Sequence, residues 1–325
     1  MDLSKHFVRA VCPFLLIVRA VWSPVLAQEA GTCPPPVPVA LTAQQVQEGT
    51  AQAQDHGFLW RVTKDKRSSF LYGTIHVARR EWIFPGPKIL KALRETDTLA
   101  LEVNPLDPKI REGLGPGSTP APAASELPAS LKARIERRMA FECIASETLD
   151  KLAPELQVMA LTLLVGRRDG LELGYAIDAV LAGFGRATGK TVVSLETTEV
   201  QLGARRALSG EGKVASLERS LDELESGRAA AVLNRLATLW ARADTAELER
   251  YEHSLNASGS EATRALLMQV VDNRNAGLAK GIDALHGRGS KVFAAVGFMH
   301  MIGPAGLPSL LAGMGYEVES IALGR

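Results

Sequence analysis

The sequence predicts an α/β protein of the α+β kind, with two related half-domains, a central sheet split between the first and last thirds of the chain, and a large helical insertion. Three observations carry that reading. Short apolar runs of strand length, at 71–75, 98–101, 192–195 and 293–296, recur between helical stretches. Residues 202–285 are helical in character almost throughout, with charged faces at 222–225 and 246–252. The first and last thirds also share one device, an apolar strand ending in Gly-x-x-His, at Gly73 to His76 and again at Gly297 to His300. That segment is too short to establish a duplication. With 325 residues and 46% hydrophobic composition, the chain can bury a full core, and one domain over 58–325 accounts for it.

Taken in order, residues 1–27 read as a secretory signal. Lys5, His6 and Arg9 precede an apolar run at 10–18, and the segment closes on Val25 and Ala27. Arg19 interrupts the run, which falls short of the roughly 18 apolar residues of a spanning helix; a retained membrane anchor is the alternative. Residues 28–57 form a Pro-rich arm and an N-terminal helix. Removing the signal removes Cys12 and leaves Cys33 and Cys143. An oxidising compartment favours a disulfide between them over two unpaired thiols.

Residues 58–62 and 69–75 read as strands of a hairpin around the polar segment 63–67. Pro85-Gly86-Pro87 introduces a helix over 88–95, and 97–103 is an apolar strand in which Glu102 stands out. Residues 113–128, rich in Gly, Pro, Ser and Ala, form a loop that is either a lid or a surface excursion. A helical region follows over 131–170, with Pro154 starting a helix. Residues 175–188 form a helix closed by Gly189, and 191–195 a β-branched strand ending at Glu196. After the insertion come a buried strand at 291–296, a short helix reaching Met314 and a last strand at 316–321.

Lys plus Arg (37) and Asp plus Glu (36) nearly cancel, so nothing points to nucleic acid or an anionic membrane surface. Aromatic residues are 5% of the chain, too few for a stacked-ring carbohydrate or single-strand surface. Chemistry concentrates where strands end: His76, Glu102, Glu196 and His300 each close one. In open α/β sheets such positions converge on a ligand at the carboxyl edge. Two imidazoles with a carboxylate and an open position suit zinc, manganese or cobalt.

Each group also has a plainer reading. A lone His at a strand end is an ordinary hydrogen-bonded residue, and Glu102 could serve a salt bridge to an arginine. Glu196 could serve as a helix cap, and Arg274 as a surface charge, a clamp on Glu102 or a substrate-carboxylate binder. Asp178 sits on a predicted helix between Ile177 and Ala179. His56, His253 and His286 lack partners at ligand spacing. A nucleophile elbow, a phosphate-cradling loop, a dinucleotide fingerprint and the His-Glu-x-x-His helix are all missing from the sequence.

The segments 58–62 and 71–76, Leu101-Glu102, Ser194-Leu195-Glu196-Thr197, Arg274-Asn275 and the run 296–303 together resemble the Tiki/TraB/GumN family. The resemblance spans nearly the whole chain after residue 56. It implies two related halves around a cleft and, from the animal Tiki branch, a metalloprotease using manganese or cobalt. Carried over by position, His76, His300 and Glu102 would hold the metal, Gly73 and Gly297 are the motif glycines, and Glu102, Glu196, Arg274 and Asp178 are the catalytic candidates. Phe298 and Met299 depart from the usual smaller residues and would make the site's rim bulkier.

The expected function is therefore a metal-dependent hydrolase, a peptidase, in the periplasm or outside the cell, with a peptide or protein substrate. It would meet no nucleic acid, and a membrane only if the N-terminal segment is retained; the oligomeric state is not specified. The alternative is a non-catalytic periplasmic protein that sequesters a peptide signal or a metal ligand.

Overall fold

The computed structural model describes residues 33–34, 41–114, 127–150, 152–206, 210–258 and 268–323. The predicted signal at 1–27, most of the Pro-rich arm and residues 115–126 of the predicted loop lie outside the described residues. Gly113 and Leu114, expected in that loop, instead end the helix Pro108–Leu114.

Six strands among the described residues form one sheet: β1 (Phe58–Lys64), β2 (Arg67–Thr74), β3 (Thr98–Leu101), β4 (Thr191–Ser194), β5 (Val292–Gly297) and β6 (Glu317–Ile321), in the order β4-β3-β5-β2-β1-β6. The split the sequence shows is closed in space, because strands from the first and last thirds interleave. The two Gly-x-x-His strands, β2 and β5, are parallel neighbours, with Gly73 opposite Val296 and Thr74 opposite Gly297. β3 pairs in parallel with both β5 and β4, so all four strands present their carboxyl ends on one edge. β1 is antiparallel to β2 and to β6.

Burial explains the patterns. All six residues of β5 and all four of β3 are buried, as the continuous apolar runs require when both sheet faces are covered. Alternate residues divide between the faces: Leu99, Leu101, Phe293 and Ala295 pack toward Leu181 of the helix Ile177–Ala187 and toward Trp240. Ala100, Ala294 and Val296 pack toward Leu278 and Ile282 of the helix Asn273–Gly287. The helices Ala129–Phe141, Pro154–Leu164 and Gly210–Glu225 enclose a separate cluster around Leu131, Leu161 and Leu221. Trp240 ties the insertion to the sheet: its indole N–H donates to the Gly73 carbonyl at 2.7 Å, and its own carbonyl accepts the Gly57 N–H at 2.9 Å.

Local chemistry sets the turns. The β1–β2 hairpin closes on Asp65 and Lys66, both at positive φ (52° and 59°), the conformation that matches sheet twist in two-residue hairpins. The expected disulfide joins Cys33 to Cys143, with Cα atoms 5.7 Å apart. No helix among the described residues is long and apolar enough to cross a membrane.

Candidate active site

Because β2, β3, β4 and β5 run the same way, the groups that follow them line one edge. In strand order these are Glu196 after β4, Glu102 after β3, His300 after β5 and His76 after β2. Glu102, Glu196 and His300 are buried, whereas the His76 side chain is half exposed.

Gly297 lies at the centre of the set. A Cβ placed on it would sit 3.1 Å from Glu102 Oε1, 3.5 Å from His76 Nε2 and 3.8 Å from His300 Cδ2. The missing side chain is what leaves that space open. Gly73 serves otherwise, since a Cβ there would lie 3.0 Å from Cβ of Phe298. Phe298 and Met301 are buried in the core, which corrects the expectation that Phe298 thickens the rim; Gly73 makes room for its Cα and Cβ instead.

Each histidine is oriented through Nδ1. Asp178, in the first turn of Ile177–Ala187, accepts from His76 Nδ1 at 2.7 Å and from the Thr74 hydroxyl at 2.6 Å. Asn275 donates its amide to the Ala305 carbonyl at 2.8 Å, which turns its oxygen to His300 Nδ1 at 2.5 Å. With Nδ1 engaged by an acceptor, the neutral form of either ring carries its lone pair on Nε2, the arrangement that orients metal-ligating histidines. His300 Nε2 lies 3.8 Å from Glu102 Oε1. Burial pushes the His300 imidazole down to about 4, further helped by Arg274 and His76 against the pull of Glu102, so the ring is neutral at pH 7.

Glu102 is held ionised. Burial favours its neutral acid, but His300, His76 and Arg274, together with the Gly297 N–H donating to Oε1 at 2.7 Å, lower its pKa to about 2. Arg274 Nη2 donates to Glu102 Oε2 at 2.7 Å, and its Nε reaches both oxygens of Glu196 at 3.1 Å; Nη1 donates to the Val270 carbonyl at 2.9 Å. The guanidinium is thus turned inward onto two buried carboxylates. It positions them and does not present its donors to a substrate, and their proximity outweighs burial in raising its pKa. Val270 belongs to the π-helical turn Met268–Asp272 that leads into Asn273–Gly287.

Sequence reasoning assigned no role to Asn275, Gln201 or Thr74. Gln201 Nε2 donates to Glu102 Oε2 at 3.2 Å from the helix Thr198–Arg206. Asn275 is fully buried beside Arg274, a burial that its helical sequence context does not reveal. His286 is bonded to Ser69 and to the Lys64 carbonyl, and His56 to the Ala241 carbonyl, so both serve the framework.

Among the described residues, no three His, Cys, Asp or Glu are grouped closely enough to hold a metal ion as they stand. Two surface clefts, of about 310 and 550 Å³, are lined by other residues. In comparison with known proteins, the model of the TraB/PrgY/gumN family matches residues 58–320. No curated protein and no solved structure matches the chain.

Proposed function

The chain belongs to the TraB/PrgY/gumN family, and we propose that it is a metal-dependent hydrolase of peptide bonds acting in the periplasm or outside the cell, with His76, His300 and Glu102 holding a divalent ion. The observation supporting this is the convergence on Gly297 of two Nδ1-anchored imidazoles and an ionised carboxylate. That donor chemistry fits zinc, manganese or cobalt. When bound, such an ion supplies Lewis acidity, lowering the pKa of water and polarising a scissile carbonyl.

The chain's own residues prepare the place. Asn275 keeps the lone pair of His300 on Nε2, and Asp178 with Thr74 does the same for the solvent-side His76. Glu102, Glu196 and Asp178 against the single guanidinium of Arg274 leave the edge electronegative, which favours a cation. Arg274 and Gln201 fix Glu102 Oε2, and the Gly297 N–H fixes Oε1, so the carboxylate cannot swing away.

One feature favours the second reading, a binding protein that sequesters a peptide signal or a metal ligand: Arg274 already satisfies both buried carboxylates without any ion. The two readings part in one experiment. The purified, chelator-treated chain is titrated with manganese, cobalt and zinc, and a peptide library is incubated with each form. The hydrolase reading expects about one equivalent of tightly held metal and cleavage that requires it. His300→Ala and Glu102→Gln should each reduce cleavage by about 100-fold or more. Glu102→Gln is preferred to alanine because it keeps a partner for the buried Arg274. Cleavage that survives both substitutions, or no metal uptake under any condition, overturns the hydrolase; stoichiometric peptide binding without cleavage establishes the binding protein.

A further inference from the structure

The two outer strands of the sheet are guarded unequally. β6 carries Glu317 and Glu319, Arg61 pairs with Glu319 at 3.1 Å, and Lys88 reaches over to the Ala322 carbonyl, the charged decoration by which edge strands resist pairing. β4, Thr-Val-Val-Ser, has no charged side chain, and its far side has no strand partner among the described residues. The register tells which of its groups face outward. Thr191 N–H donates to Asp97 at 3.2 Å and Leu195 N–H to Leu101 at 2.8 Å, so alternate residues face β3, and Val192 and Ser194 turn their N–H and C=O groups away.

A cleft of about 310 Å³ runs beside that edge. It is lined by Val192 of β4, by Lys190 just ahead of that strand, by Ala182 and Arg186 of the helix Ile177–Ala187, and by Asn104 and Leu106 from the loop after β3. Leu106 is exposed, and Arg186 and Lys190 both bring cations to the cleft, the Lys190 ammonium donating to the Thr96 carbonyl. At its carboxyl end β4 runs into Glu196, which Arg274 holds beside Glu102.

We propose that β4 is a substrate-recognition edge: an extended segment of the peptide substrate adds to the sheet as a seventh strand. Its main chain bonds Val192 and Ser194, an acidic side chain faces Arg186 and an apolar one packs on Leu106. The chain beyond is carried over the carboxyl edge toward Gly297. Main-chain pairing supplies affinity and alternate side chains supply selectivity, as in other cases of strand addition. The inference rests on the peptide-directed reading of the site.

The test reads binding without cleavage. The full chain, freed of metal, is titrated by fluorescence anisotropy with labelled, acetylated octapeptides that alternate Thr and Val and carry one Glu. The best binder is then N-methylated at each position in turn. Methylation at every second residue should weaken binding by about tenfold, that of one or two lost hydrogen bonds, and the intervening positions should be unaffected. Val192→Pro removes one outward N–H and leaves the donors of Thr191 and Val193 to β3, so it should cause a similar loss. Arg186→Glu should reduce the preference for Glu-bearing over Lys-bearing peptides by about tenfold, with Lys190 left as the cleft's remaining cation.

An N-methyl profile without a period of two overturns the proposal, as does unchanged binding by a folded Val192→Pro chain. If that variant does not fold, the methylation series on the unaltered chain decides alone. No binding by any octapeptide, alongside metal-dependent cleavage of unfolded protein substrates, overturns the edge and leaves the hydrolase standing. Period-two binding with no cleavage under any metal supports the edge and removes the hydrolase.

Discussion

A side chain at Gly73 would press on Cα and Cβ of Phe298 at 3.2 and 3.0 Å, whereas one at Gly297 would enter the space between Glu102, His76 and His300. Two alanine substitutions in the same tetrapeptide pattern should therefore fail differently. Gly73→Ala overpacks the core and should lower stability by about 1–3 kcal/mol in urea unfolding. Gly297→Ala should lose less stability and instead weaken ion uptake by tenfold or more in the metal titration, and equal effects on both readouts at the two positions would remove the distinction. The titration of His300 gives a second expectation, for the metal-free chain. Its imidazole lies at about 4 when folded and 6.5 when unfolded, so between these values the unfolded chain binds the extra proton. Stability should fall as pH drops from about 6.5 to 4, by on the order of 3 kcal/mol. It should fall further as Glu102, at about 2 when folded against 4.5, begins to protonate in the unfolded chain. Urea midpoints for the unaltered chain and His300→Gln between pH 7 and pH 4.5 check this; the substitution should flatten the first limb. At this scale the sequence was legible where a polar group follows closely on an apolar strand, as Glu102 and His300 do. The amides of Asn275 and Gln201 gave no such contrast, because an Asn or Gln in a helix looks the same in sequence whether it is solvated or holds a catalytic group.

Strand positions were legible because burial on both faces forces uninterrupted apolar runs, as in β3 and β5. Strand neighbours were less so: β5 enters between β3 and β2, and nothing local in 291–296 names its partners. Helix ends depended on single residues. The helical region expected over 131–170 is divided, since Pro154 starts a new helix and Cys143, at φ +55°, ends Ala129–Phe141 in a left-handed turn where glycine is usual. The hairpin between β1 and β2 was expected, but its two-residue turn was not, because Asp65-Lys66 is not a dipeptide that favours positive φ at both positions. Lys66→Gly relieves the strained backbone at φ 59° and should stabilise the chain by about 0.5–1 kcal/mol. A small rise in the urea midpoint with an unchanged slope is the expected result; a lower midpoint would show that the Lys66 side chain contributes more than its backbone costs.

For the whole molecule, the disulfide links Cys33 to Cys143, in the turn that ends the helix Ala129–Phe141, across 110 residues of sequence. Loop-closure entropy for a cross-link of that span limits its stabilisation to about 5 kcal/mol, which is comparable to the entire stability of many domains. Reduction should therefore lower the melting temperature well beyond what a surface contact could, and it should do so without dismantling the site, whose residues all hang from the sheet and the helices packed directly on it. The Cys143 backbone adds a complication that can be separated. The Ile144 N–H returns to Met139 and the Cys143 N–H to Ala140, so Cys143 is the left-handed residue of a helix-ending turn as well as a cross-link. Cys33→Ser with Cys143→Ser loses the link and keeps the backbone strain. Cys33→Ser with Cys143→Gly loses the link and relieves the strain, and should recover about 1 kcal/mol relative to the serine pair. Equal stability of the two pairs would mean that the turn is held by its neighbours, Met139 and Ile144, whatever residue occupies 143. Greater stability of the glycine pair would show that the bridge sits on a strained turn and offsets part of its cost.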